Sequence, residues 1–168
     1  MNDEISTDLP METLLDRYPG ARRALFSAFH IGGCQSCAYQ LHETLGEVCA
    51  NHGIDPEEAL ACLVESRVHD LAMLISPADL QKLRESHMAE RRPLPSIMTQ
   101  DRQTALFADP TNTTKKIILI DHQGRSVLDH CAWFRGHGLK ETYGIDGGID
   151  RYAREIDPTI PRYRLEMD

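Results

Sequence analysis

The sequence predicts an α/β protein, α+β overall, in which a small N-terminal helical bundle precedes a truncated parallel α/β domain. Apolar residues recur at helical spacing through residues 5–67. A short continuous apolar run then begins at Ile117, as is typical of a buried parallel strand. A loop, a helical stripe and a second apolar run follow it. We therefore divide the chain into residues 1–70 and residues 71–168.

Composition limits the classes of partner. The chain has 168 residues, of which 41% are hydrophobic and 26% charged, and its formal net charge is −8. A negative chain lacks the clustered Lys and Arg that bind phosphates, so we expect neither nucleic acid nor membrane as a partner. The acidic N-terminus, with Asp3, Glu4 and Asp8, is unlike a secretory signal, and we expect a cytoplasmic location.

The N-terminal elements follow from capping and breaking residues. Asp8 is predicted to cap a first helix that stops at Pro19, and a second helix is predicted to break at Gly32-Gly33. Thr44 with Glu47 three residues later indicates a capping box that opens a further helix. That helix is predicted to end at Gly53. Asp55-Pro56 with Glu58 indicates a second capping box, which opens the next helix.

The pair Cys34 and Cys37 is the main candidate site. Apolar spacing at Tyr39 and Leu41 predicts that Cys34 opens a helix, where the helix dipole would stabilise a thiolate. Cys34 is then the attacking sulfur and Cys37 the resolving thiol. Two thiols at this spacing serve redox disulfides, half of a zinc site or iron–sulfur ligation, so all three remain open.

A metal at Cys34 and Cys37 needs further ligands. Cys49, Cys62, His30 or His42 would have to join the pair, or a second subunit would have to complete the site. We expect Cys49, Cys62 and Cys131 to act as small core residues. The eight histidines form no metal-binding pair, so no metal site is assigned beyond the alternative of zinc or an iron–sulfur cluster at Cys34 and Cys37.

The C-terminal elements begin at Ser76-Pro77, which is predicted to open a helix through about Leu83. Residues 88–114 contain several prolines and are interpreted as a long connection. After the strand at 117–120 and a tight loop at 121–125, a helix is predicted as far as Gly136 and a second strand from Tyr143 to Ile145. This strand–loop–helix–strand unit has the length of a parallel crossover.

Residues 5–67 resemble the small redox disulfide domain associated with hybrid cluster proteins. The likeness lies in the Gly-Cys-x-x-Cys turn and in the segments 43–45 and 52–55. It implies an all-helical domain with a redox-active pair at Cys34 and Cys37. A thioredoxin origin does not fit, because that motif follows a strand and the residues before Cys34 are predicted to be helical.

Residues 76–165 resemble a rhodanese-like domain. The likeness is clearest at Gly147-Gly148-Ile149-Asp150, at Ile156-Asp157-Pro158 and at Pro161-Arg162-Tyr163, and it extends to the strand and loop at 117–126. Where that family has its sulfur-accepting cysteine, this chain has Asp121. The loop is also one residue shorter, and the family's early strand is not recognisable between Leu83 and Thr114. The resemblance therefore implies a shortened domain without its nucleophile.

The degenerate loop comprises Asp121, His122, Gly124, Arg125 and Ser126. Backbone N–H groups and a helix N-terminus converge on an anion in such a loop. With Asp121 at its mouth, two interpretations stand. The loop binds an anion, or the Asp121 carboxylate itself accepts the N–H bonds and makes a closed structural turn, which we favour.

We interpret the chain as a thiol–disulfide or sulfur-relay protein that uses Cys34 and Cys37 on a protein thiol or persulfide partner. The C-terminal part would serve docking or regulation, without rhodanese sulfurtransferase activity. No cofactor is expected unless the pair binds zinc or an iron–sulfur cluster. The rival hypotheses are a non-enzymatic metal-binding module and a pure interaction protein, and a homodimer is compatible with either.

Overall fold

The computed structural model describes residues 4–33, 38–86 and 100–162, and for residues 86 and 100–102 it describes the backbone alone. The chain divides into two compact units, residues 1–72 and residues 73–168. Together they contain helices and a small parallel three-stranded sheet. The predicted α/β class is confirmed.

The N-terminal unit is helical over its described residues. It contains α1 (Met11–Arg17), α2 (Ala21–Phe29), α3 (Leu45–His52) and α4 (Pro56–Ala72). One apolar core joins them, with Met11, Leu14, Leu25, Leu45 and Val48 fully buried. The buried residues recur at helical spacing on each helix, which is the pattern that predicted the bundle.

Helix α3 has both of its predicted ends. The Thr44 side chain accepts a hydrogen bond from the Glu47 N–H at 3.2 Å, and Glu47 accepts one from the Thr44 N–H at 2.8 Å. The hydrogen bonds that the Thr44 N–H and hydroxyl donate to the Glu47 carboxylate lower its pKa. Gly53 closes the helix in the left-handed conformation, with φ of 67°. The prediction of this helix is confirmed.

Two predictions about the N-terminal unit are wrong. Helix α1 begins at Met11 rather than at an Asp8 cap, because residues 7–9 form a turn and Pro10 forms a β-bridge with Thr44. The helix expected from Cys34 onward is absent over residues 38–43, which form irregular structure and a turn. The Tyr39 ring lies against Gly32, so tertiary packing sets its position.

The C-terminal unit is built on the sheet. Its elements are β1 (Leu74–Ile75), α5 (Pro77–Ser86), α6 (Gln100–Ala108), a 3₁₀ helix (Pro110–Thr114), β2 (Ile117–Leu119), α7 (Val127–Gly136), β3 (Thr142–Ile145) and α8 (Gly148–Glu155). The strand order is β1-β3-β2, with both pairs parallel. Helix α7 packs on the sheet through Val127, Leu128 and Cys131. The carboxyl end of β2 thereby meets the start of α7.

The long connection predicted for residues 88–114 is wrong from Gln100 onward. Helix α6 and the 3₁₀ helix occupy residues 100–108 and 110–114. The Phe107 ring packs against Phe134 with centroids 5.2 Å apart, and Asp109 caps the 3₁₀ helix through the Thr111 N–H. Packing on α7 therefore orders a segment whose sequence is mostly polar. Residues 88–99 of the predicted connection lie outside the described residues.

No helix among the described residues is long and apolar enough to cross a membrane.

Candidate functional site

Cys34 and Cys37 lie outside the described residues, but the glycines that precede them do not. A Cβ at Gly33 would lie 2.0 Å from the Phe26 ring, and one at Gly32, where φ is 86°, would lie 3.2 Å from the Tyr39 ring. A side chain at Gly33 would therefore have to displace the Phe26 ring, and one at Gly32 would be strained by the positive φ. Phe26 is itself 48% exposed. Its apolar ring therefore lies at the surface beside Gly33, the residue that precedes Cys34 in the sequence.

The three remaining cysteines are poor nucleophiles. Cys49 is fully buried in the N-terminal core and Cys62 is half-buried beside it. Burial raises the pKa of both thiols, and nearby carboxylates, Asp55 for Cys49, raise it further. Cys131 is fully buried beneath the sheet. Since thiolates are the reactive form, these three positions suit packing rather than exchange.

No group of three or more His, Cys, Asp or Glu side chains that could hold a metal ion occurs among residues 4–33, 38–86 and 100–162. His52 and His130 each place Nδ1 against a main-chain carbonyl oxygen of their own helix, at 2.8 Å in both cases. The metal alternative for Cys34 and Cys37 therefore stays a hypothesis about residues outside that part of the chain.

The loop after β2 is organised around one carboxylate. Oδ2 of Asp121 accepts hydrogen bonds from the N–H groups of Ser126 at 2.9 Å and Val127 at 3.0 Å, and from the Ser126 hydroxyl at 3.1 Å. Oδ1 accepts a short bond from the Gly124 N–H. The N–H groups of a loop and of the start of α7 thus converge on a negative group, and that group belongs to the chain itself. This is the closed turn that the sequence favours.

The same loop is bound to the start of α8. The carbonyl oxygen of Asp121 accepts a hydrogen bond from the Ile149 N–H at 2.8 Å, and that of His122 accepts one from the Asp150 N–H at 3.0 Å. A Cβ at Gly148, where φ is 61°, would lie 2.5 Å from the Asp121 carbonyl oxygen. Sequence reasoning missed this contact; the paired glycines 147 and 148 directly after a strand were the available signal.

A shallow pocket lies beside the loop. It is lined by His122, Gln123, Ile149, Asp150, Ala153, Pro161 and Arg162. Inside it, Nε of Arg162 donates to Asp150 at 2.8 Å, and Arg154 lies 3.2 Å from the other carboxylate oxygen. The hydrogen bond from Arg162 lowers the pKa of Asp150. Two guanidinium groups already engage this carboxylate, so Asp150 is not free to bind a cation, and the three groups together carry a net charge of +1.

The predicted site residues therefore fall into two groups. Asp121, Gly124 and Ser126 form one hydrogen-bonded turn, while His122 joins it to α8 through its main chain. Arg125 lies in the same turn with an exposed side chain. Cys34 and Cys37 form the second group and belong to the other compact unit. Tyr163, part of the predicted closing pattern, lies outside the described residues.

Comparison with known proteins shows a distant rhodanese-like relationship. The chain is 28% identical over 105 residues to "Rhodanese-like/PpiC domain-containing protein 12, chloroplastic" of Arabidopsis thaliana, covering 60% of this chain and 35% of that protein. It is 24% identical over 108 residues to thiosulfate sulfurtransferase GlpE of Pseudomonas savastanoi pv. phaseolicola, covering 64% of this chain and 92% of the relative. The chain is distantly homologous to rhodanese-like proteins.

The rhodanese-like relationship is weak and partial. The chain spans about a third of the length of the chloroplast protein and nearly all of GlpE. No family model matches the chain, and no solved structure matches it. The relationship supports a family of sulfur-relay type, and the small parallel sheet is consistent with a rhodanese-like fold. The resemblance of residues 5–67 to the hybrid-cluster-associated redox domain stays a prediction.

Proposed function

We propose that this protein relays disulfide or persulfide equivalents through Cys34 and Cys37, with its rhodanese-like part as a docking or regulatory element. The observation that carries the proposal is the state of the other cysteines. Cys49 and Cys131 are fully buried, and the Cys62 thiol is half-buried with a raised pKa. That leaves the Cys34 and Cys37 pair as the thiols suited to exchange.

The proposed reaction is thiol–disulfide exchange. The Cys34 thiolate attacks one sulfur of a partner disulfide, and the partner's other sulfur leaves as a thiolate. Cys37 then attacks Cys34, which closes the intramolecular disulfide and releases the partner's second thiol. The partner gains two electrons and the pair loses two. With a persulfide partner, Cys34 takes the outer sulfur and the inner sulfur leaves as a thiolate.

Thiol mapping tests this assignment. We expect brief alkylation of the reduced full-length protein near neutral pH to label Cys34 and Cys37 at least about tenfold faster than Cys49, Cys62 and Cys131, because burial disfavours those thiolates. Peptide mass mapping gives the rates. Preferential labelling of Cys62 or Cys131 would contradict the proposal.

The order of the two thiols needs paired variants. Cys37→Ser should trap a mixed disulfide with a small disulfide reagent, because the resolving step is lost, and Cys34→Ser should not. The mass of the intact protein shows whether each variant carries the mixed disulfide. Trapping by Cys34→Ser alone would reverse the roles.

Metal analysis of protein purified without oxygen separates this proposal from the rival metal-binding function, since a bound metal would block both thiols.

The rhodanese-like unit is expected to lack sulfurtransferase activity of its own. In a full-length Cys34→Ser, Cys37→Ser background, we expect negligible thiocyanate formation from thiosulfate and cyanide, because Asp121 has no sulfur to carry the intermediate. Adding Asp121→Cys places a thiol among the converging N–H groups and is expected to produce measurable turnover. Turnover in the parent that disappears in Cys131→Ser would contradict this prediction.

A further inference from the structure

Helix α4 carries an apolar stripe on its exposed side. Val64 is 49% exposed, Val68 63% and Leu71 55%, and Ala61 is also exposed. We call these four residues the α4 face. The opposite side of the same helix packs in the core of the N-terminal unit, where Ala59 and Leu63 are buried. A stripe of this size on one helix is unlike singly scattered surface apolar residues and indicates a contact surface.

The spacing of the α4 face fits a second helix. Its members follow one another at intervals of three, four and three residues, which is the spacing of a coiled-coil seam. Helix α4 has 17 residues, about 25 Å at the α-helical rise, so a partner helix of four to five turns could lie along it. Side chains at this spacing interdigitate with a stripe of the same kind on a neighbouring helix.

Charge identifies the kind of helix. Residues 1–72 contain twelve Asp and Glu against four Arg and no Lys, so this unit holds the whole net charge of −8 and residues 73–168 are balanced. On α4 itself, Glu57, Glu58 and Glu65 are exposed. Burial raises the pKa of Cys62, and the nearby carboxylates of Glu65 and Glu58 raise it further.

Arg67, the one arginine of α4, and Arg23 of α2 are engaged elsewhere. The Arg67 guanidinium lies 4.3 Å from the centre of the Tyr18 ring, and Arg23 pairs with the buried carboxylate of Asp70. The rim of the α4 face is therefore acidic. An antiparallel pairing with a second copy of this chain fits poorly, because Glu58 and Glu65 are seven residues apart and would face the same glutamates of the other copy.

We propose that the α4 face is a docking surface for a basic amphipathic helix of a protein partner. The apolar stripe of such a helix would cover Val64, Val68 and Leu71, and its Lys and Arg side chains would lie beside Glu58 and Glu65. Burial of the stripe would supply most of the affinity, and the charges would set the choice of partner and the rate of association. No residue of the α4 face is assigned a part in the thiol exchange proposed for Cys34 and Cys37.

A designed peptide pair tests the surface on the full-length protein. The probe is a peptide of about 18 residues with Leu at three- and four-residue intervals and Lys elsewhere, and its twin carries Glu in place of Lys. Fluorescence anisotropy of the labelled peptides measures binding. We expect the Lys peptide to bind, more weakly at high salt, and the Glu peptide to bind at least about tenfold more weakly.

Variants locate the contact. The double variant Val64→Ser with Val68→Ser is expected to lower the affinity for the Lys peptide about tenfold. The double variant Glu58→Lys with Glu65→Lys is expected to lower it by a similar factor and to allow the Glu peptide to bind. The matched control is Asp8→Lys with Glu12→Lys, the same charge change on exposed residues of the same unit outside α4. Circular dichroism checks that each variant keeps the helical content of the parent.

Three results would overturn the proposal. One is equal binding of the Lys peptide to the parent and to Val64→Ser with Val68→Ser. Another is an equal loss in the Asp8→Lys, Glu12→Lys control, which would mean attraction to the whole acidic unit. The last is concentration-dependent dimerisation in sedimentation that disappears in Val64→Ser with Val68→Ser, which would make a second copy the occupant.

Discussion

Replacing Asp121 with alanine is expected to lower the free energy of unfolding by about 3 kcal/mol, because backbone donors lose their acceptor. The N–H groups of Gly124, Ser126 and Val127 all point at this carboxylate, and the Val127 residue is buried. Urea unfolding can be followed by the fluorescence of the single tryptophan, Trp133. Trp133 belongs to the same unit as the loop, so its fluorescence reports the unfolding of that unit. Glu155→Ala, which removes an exposed ion pair with Arg151, is the matched control and should change little.

The same variant should gain a response to anions. Once the Asp121 carboxylate is gone, sulfate or thiosulfate can occupy the converging N–H groups. We expect either anion to raise the unfolding midpoint of Asp121→Ala more than that of the parent, with chloride at equal ionic strength as reference. A loss of stability no larger than that of Glu155→Ala, or identical anion effects in both proteins, would show that the carboxylate does not organise the loop.

Gly148→Ala is expected to cost about 3 kcal/mol or more of unfolding free energy, since two effects coincide there. The residue has φ of 61°, and its added Cβ would lie 2.5 Å from the Asp121 carbonyl oxygen and 2.7 Å from the Gln123 nitrogen. The Asp121 carbonyl oxygen cannot move away without breaking its hydrogen bond from the Ile149 N–H. Urea unfolding of the full-length protein measures the loss.

Gly136→Ala is the control for the glycine prediction. Gly136 ends α7, and a Cβ there would have no heavy atom within 4 Å. Because alanine favours the helix and restricts the unfolded chain, this change is expected to be neutral or to stabilise by up to about 1 kcal/mol. Equal losses at both glycines would mean that Gly148 is not held by the loop, contrary to the contacts described.

Local signals predicted local structure well. The Thr44 and Glu47 capping box and the Gly53 terminus depend on residues within one helix, and all were predictable from the sequence. The closed turn at Asp121 was predictable for the same reason, because its donors lie within six residues of the carboxylate. In each case the physical cause is a hydrogen bond between near neighbours in the chain.

Structure that depends on distant partners was missed. Strand β1 pairs with β3, with Leu74 opposite Gly144. Because β1 is only two residues long, it is too short to show a strand periodicity in the sequence. Helix α6 depends on the packing of Phe107 against α7, and the contact of the loop with Gly148 joins segments more than twenty residues apart. A helix was wrongly predicted over residues 38–43 because Tyr39 has helical spacing in the sequence, whereas in the structure its ring packs against Gly32. A single sequence gives no measure of such contacts.

The lengths of the strands bear on how this protein associates with itself. Among the described residues, the sheet is bounded by β1, with two residues, and β2, with three, and the longer β3 lies between them. An edge this short offers only one or two backbone hydrogen bonds to another chain, too few to template a continuous intermolecular sheet. Growth of cross-β aggregates from the native sheet is therefore disfavoured, and contacts between native molecules must rely on side-chain surfaces.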